Sequence, residues 1–188
     1  MTLLIAGLLL FLGAHTFTTV RQLRQPVIGR LGEGPYKGLY SLVSAAGIVL
    51  IVVGFGRYRG AGYIPVWSPP AFLHVVTLVL MWISFVALTA AYSPLGKIKS
   101  SLRHPMLVGV KAWALAHLLV NGDLGSILLF AGFLAWPVYD RISLKRRGDM
   151  GAPPSGVTAG DAIALVIGSA LYAAMWWLHP IAFGVPIG

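Results

Sequence analysis

Apolar runs recur six times along the chain, each ended by a short segment rich in polar residues, proline or glycine. They cover residues 2–20, 36–55, 71–92, 105–120, 124–143 and 161–179. A helix that crosses the hydrocarbon core needs ~20 mostly apolar residues, so each run predicts one transmembrane helix. The breakers fall between the runs. Gly32, Gly34 and Pro35 interrupt the first connection, and Pro65, Pro69 and Pro70 the second. Pro94 and Gly96 mark the third, Asn121-Gly122-Asp123 the fourth, and Gly148, Gly151, Pro153 and Pro154 the fifth. Asp123 and Asp161 stand where the N-caps of helices five and six belong. The pattern predicts an all-α, polytopic membrane helix bundle of about six transmembrane helices. It is read as one domain over residues 1–188, with no internal repeat and no appended soluble domain.

Composition sharpens this picture. Only 10% of residues are charged and 57% are hydrophobic, against roughly 25% and 45–50% in a typical soluble domain. A soluble chain of this length could not bury that much apolar surface in one core. The absence of cysteine excludes disulfides, thiolate metal sites and a cysteine nucleophile. The net charge of +9 is read as positive charge on one membrane face, not as a nucleic-acid footprint.

Lysine and arginine set the expected orientation. The first connection holds Arg21, Arg24, Arg30 and Lys37, and the third holds Lys97, Lys99 and Arg103. The fifth holds Lys145, Arg146 and Arg147, with Arg141 just before it; the second has only Arg57 and Arg59, and the fourth has none. Odd connections are therefore expected in the cytoplasm and both termini outside. The run 2–20 lacks a basic leader and a small-x-small cleavage site, which fits a retained first span. Tyr36 and Tyr40 fall at the inner interface, and Trp67, Trp176 and Trp177 at the outer one.

Ionisable groups inside spans are costly and invite a functional reading. His15 lies inside helix one, and His117 about three turns into helix four. His74 and His179 lie near the outer ends of helices three and six, and His104 at the inner start of helix four. A neutral imidazole in the membrane needs a hydrogen-bond partner or a metal. Asn121 is one turn after His117 and Trp113 one turn before it, so helix packing alone could satisfy it. Thr16, Thr18 and Thr19 could do the same for His15. Two such histidines on separate helices, with no carboxylate near, suit a haem iron and do not make a closed four-ligand zinc site. His74 and His179 form the fallback pair.

Arg103-His104-Pro105 opens helix four, with proline at the first helical position, where its missing N–H costs nothing. Arg103 and His104 are either a plain helix entry or a grip on an anion such as a haem propionate or a lipid phosphate. Lys111, seven residues after His104, could snorkel or pair with Asp140. Pro137 should kink helix five. No phosphate-binding loop, serine-hydrolase elbow or HExxH zinc motif is present.

Several segments together resemble the NnrU family of bacterial membrane proteins. They are Leu12-Gly13-Ala14-His15, the stretch from Arg30 to Ser41 around Gly32-Glu33-Gly34-Pro35-Tyr36, Arg103-His104-Pro105-Met106, Ala116-His117 through Asp123, and Asp140-Arg141 through Arg147. The resemblance covers nearly the whole chain. It implies a bacterial inner-membrane protein associated with denitrification and nitric oxide metabolism. The family is also similar to the plant zeta-carotene isomerase, a membrane haem b protein. By that likeness His15 and His117 are the implied axial ligands of a haem b; the reading of the residues themselves adds Arg103, His104, Lys111 and Asn121 as candidates around the cofactor. The isomerase carries a cysteine three residues before its second histidine; here Ala114 stands at that position, so a cysteine–histidine ligand exchange cannot operate.

Three functions are therefore weighed. The first is a haem b membrane protein with redox or isomerase chemistry, acting on a hydrophobic small molecule or nitric oxide, in contact with membrane lipid and a membrane redox partner. The second is a non-catalytic assembly or interaction protein for a nitrogen-oxide reductase, in which the histidines only pack. The third is a membrane methyltransferase, which the Arg-His-Pro segment suggests; against it, no glutamate lies in the C-terminal half. The expected topology has its own test. Reporter fusions after Ile28 and Lys97 should report cytoplasm, and one after Ser68 the outside. A cytoplasmic signal from the Ser68 fusion would overturn the orientation.

Overall fold

A computed structural model describes residues 1–185 and 187 of the chain. Its eight helices are α1 (Thr2–Thr19), α2 (Arg21–Leu31), α3 (Glu33–Gly60), α4 (Leu73–Tyr92), α5 (Lys97–Leu102), α6 (Pro105–Val120), α7 (Leu124–Arg146) and α8 (Ala159–Phe183). Among the described residues the only β-pairing is an isolated bridge between Pro65 and Asp123. The fold is all-α, as expected. Helices α1, α3, α4, α7 and α8 are long and apolar enough to cross a membrane. The fourth expected span, α6, has 16 residues, about 24 Å at 1.5 Å per residue, and falls short of a ~30 Å core.

Two connections expected as loops are partly helical. The first contains α2, separated from α1 at Val20 and from α3 at Gly32, whose φ of 82° breaks the helix. Gly34 and Pro35 do not break the chain. They sit in the first turn of α3, where amide groups have no helical acceptor and proline loses nothing. The third connection contains α5. Asp123 does cap α7, accepting from the amide of Ser126 at 3.0 Å. The N-cap of α8, however, is Thr158; Asp161 is its partner three residues on in a capping box.

The chain divides into two compact units, Met1–Ser68 with Asn121–Trp136 and Pro69–Val120 with Pro137–Gly188. In the first, α1 packs on α3 through glycine. A Cβ on Gly7 would lie 2.6 Å from the backbone nitrogen of Ile51, and one on Gly47 would lie 2.9 Å from Phe11. Gly54 meets the backbone of Leu3 and Leu4 in the same way. The start of α7 joins them through Phe11 and Phe133, whose rings are 5.4 Å apart. The 64–67 segment is tied to the turn before α7: Leu124 donates to Ile64, and Val66 and Trp67 donate to Gly122.

In the second unit α4 carries both α6 and α8. Ser84 donates to the Gly109 carbonyl at 2.8 Å and Thr77 to that of Ala116 at 3.0 Å, which ties α4 to α6. Trp82 Nε1 donates to Ser169 at 3.0 Å, and Gly168 lies against the backbone of Val86, which ties α4 to α8. Buried Asp161 accepts from the amides of Lys97, Ile98 and Thr158 at 2.9, 2.6 and 2.8 Å, joining the starts of α5 and α8. Lys99 donates to the carbonyls of Ala91 and Ser93 at the end of α4.

Large apolar side chains face outward along the spans. Leu9, Leu42, Val166 and Ile181 are 71%, 70%, 69% and 80% exposed, a surface that needs lipid and not water around it. The helix contacts generate a direct test. Gly7→Val and Gly54→Val should each lower the thermal midpoint in detergent, by the equivalent of about 1–3 kcal/mol or more from overpacking. Gly13→Ala, where nothing lies within 4 Å of the added carbon, should be neutral or slightly stabilising. Parental stability in both valine variants would show that α1 and α3 do not approach this closely.

Candidate functional site

Helix α6 begins at Pro105 and buries Leu107, Gly109, Ala112, Ala114 and Ala116. Small residues on that face let it sit close against α4. His117 lies about one turn before the helix ends. Its Nδ1 is 2.9 Å from the carbonyl of Trp113. A carbonyl only accepts, so Nδ1 carries the proton and Nε2 is the ring's lone-pair nitrogen. The Trp113 ring lies 5.2 Å away, centroid to centroid.

His179, about one turn before the end of α8, shares this corner of the second unit. Its ring centroid is 6.4 Å from that of His117, with the ring planes 30° apart. Gly184 takes a left-handed conformation with φ of 68°, and the chain then turns so that the Val185 carbonyl lies 2.8 Å from His179 Nδ1. His179 is thus in the same tautomer as His117. Phe183 stands 4.9 Å from its ring. Sequence reading grouped His179 with His74, but His74 is exposed at the start of α4. The available signal was positional: His117 and His179 each lie one turn from the C-terminal end of helices predicted to run in the same direction.

His15 belongs to the first unit. Its Nδ1 donates to the Phe11 carbonyl at 2.8 Å. The rings of Phe11, Tyr40 and Trp136 lie 4.1, 5.3 and 5.3 Å from it. Asn121, directly after α6, also belongs to the first unit. The threonines expected beside His15 bond instead to backbone carbonyls of their own helix, Thr16 to Leu12, Thr18 to His15 and Thr19 to Thr16.

Arg103 and His104 form the turn into α6. Arg103 has a φ of 63°, uncommon for a residue with a side chain. Its carbonyl accepts from Ala152 at 2.8 Å, and its guanidinium donates to the Ala152 carbonyl at 3.3 Å. His104 Nε2 is 3.8 Å from Asp149. Asp140 lies 3.8 Å from Arg147, and among the described residues no ion pair joins it to Lys111. Among the described residues, no three His, Asp or Glu side chains gather in a group that could hold a metal ion.

The sequence model described as NnrU protein matches residues 3–187. The chain belongs to the NnrU family. No curated protein and no solved structure matches it. Membership and the apolar helices together make this NnrU-family chain a multi-pass membrane protein.

The turn at Arg103 yields a prediction that separates backbone strain from crowding. Gly148 and Gly151 both have positive φ, 73° and 75°. A Cβ at Gly148 meets nothing within 4 Å, whereas one at Gly151 runs into the Arg103 carbonyl and lies 2.8 Å from His104 Nε2. Asparagine tolerates this conformation, so Gly148→Asn should be nearly neutral. Gly151→Asn should cost about 1–3 kcal/mol in the thermal midpoint. Equal midpoints would show that 151–152 does not pack under the Arg103–His104 turn.

Proposed function

We propose that this NnrU-family chain is an integral membrane haem b protein, with His117 as an axial ligand and with redox-gated isomerase or oxidoreductase chemistry. One observation carries the reading. His15, His117 and His179, on three different helices, each commit Nδ1 to a backbone carbonyl. That bond orients the ring and leaves Nε2 as the lone-pair nitrogen, the arrangement typical of metal-ligating histidines. The donor set fits haem: imidazoles in apolar surroundings.

Haem, when bound, would supply electron transfer and small-ligand binding at iron. The chain's own residues would orient, shield and anchor. The Trp113 carbonyl fixes the His117 ring, and the Trp113 indole helps keep water from it. The resemblance implies His15 as the second ligand. Lys111 stands ~9 Å from His117 along α6 and is the nearer cation for a propionate, whereas Arg103 and His104 stand ~20 Å away. Their proposed role is the turn with Ala152. A hydrophobic small molecule or nitric oxide is the proposed substrate class, and an electron donor in the same membrane the proposed redox partner. The proposed location is the bacterial inner membrane with both termini outside, and the proposed setting is nitric oxide and denitrification metabolism.

Absorption spectra of the detergent-purified protein, oxidised and reduced, test this. A b-type spectrum is expected, and His117→Ala should lower haem content about tenfold or more. Haem-free protein from haem-replete cells would overturn the reading and leave the histidines as packing groups. Co-purification with a nitrogen-oxide reductase would then favour the assembly role.

A further inference from the structure

We infer that His179 supplies the second imidazole at the iron held by His117, in place of His15. The inference rests on the haem reading and changes its ligand set. With metal–nitrogen bonds of about 2.1 Å and about 1.1 Å from ring nitrogen to ring centre, two imidazoles on opposite sides of one metal have centroids about 6.4 Å apart. His117 and His179 are separated by 6.4 Å.

Both rings are held in the ligating tautomer. His117 is anchored by the Trp113 carbonyl and His179 by that of Val185. The second anchor is specific to this chain end. It lies six residues beyond His179 and needs the left-handed Gly184 to bring it back.

The helices that carry the pair are also fixed relative to each other. Helix α4 bonds to α6 through Ser84 and Thr77, and to α8 through Trp82. The two rings therefore belong to one packed unit. The ring of His15 is lined by Phe11, Tyr40 and Trp136. That enclosure gives it the surroundings of a packed aromatic group.

The test compares His179→Ala, His15→Ala and His117→Ala as purified membrane proteins, by absorption and electron paramagnetic resonance of the ferric form. His179→Ala should convert most of the low-spin signal to high spin, and added imidazole should restore it. His15→Ala should stay low spin. Should His179→Ala fold poorly, His179→Gln, which can still donate to the Val185 carbonyl, should show the same conversion. Loss of haem from a monodisperse His179 variant supports the inference equally. Low-spin haem in both His179 variants, with high spin in His15→Ala, would overturn it while leaving the haem reading intact. A parent protein that holds no haem would instead overturn the haem reading, and this inference with it.

Discussion

Helices inside a bilayer gain little from the hydrophobic effect when they associate, because lipid tails are as apolar as leucine. What holds them is close contact, and here that contact runs through glycine. Gly7 and Gly54 let α1 and α3 meet nearly backbone to backbone, and Gly109 and Gly168 let α4 receive α6 and α8. The same constraint explains where the large side chains went. With small residues inward, leucine, valine and isoleucine point out to lipid. Each unit is thus a membrane protein turned apolar-side-out, with its specificity in its smallest residues.

Close approach also makes polar bonds between helices usable. Ser84 and Thr77 reach backbone carbonyls of α6 because no large side chain intervenes. A carbonyl that already accepts from its own helix has a second lone pair, so these bonds do not compete with the helix. Asp161 does comparable work at the end of the unit, where its oxygens serve three amides from two segments. A carboxylate so placed joins helix starts that would otherwise present unsatisfied donors.

The spans were legible because length and apolarity alone define them. The start of every predicted span came within three residues of an observed helix start. Helices α2 and α5 were not legible. They are short and carry charged residues, α5 follows Pro94 and Gly96, and α2 even contains Pro26. Gly34 and Pro35 read as breakers in sequence, yet they sit harmlessly in a first turn; only the helix boundary at Gly32 decides that. Asp161 looked like an N-cap by position, but its role depends on Lys97 and Ile98, 64 and 63 residues away, which local patterning cannot supply.

The histidines show the same limit from the chemical side. Sequence ranks them by depth, and depth alone made His15 and His117 the interior pair. Tautomer and neighbourhood come from backbone carbonyls whose placement only the fold decides. For His117 and His15 the carbonyl is four residues back on the same helix, so any helix would offer it. For His179 it arrives from beyond the helix end, through the left-handed turn at Gly184. Proline at 180 removes one helical N–H donor just after His179, and the helix ends within a turn. Termination of α8 and orientation of the His179 ring are therefore one structural event. A helix that ran on past Phe183 would carry the Val185 carbonyl away along its axis. Where α8 stops thus decides whether His179 presents the same nitrogen as His117.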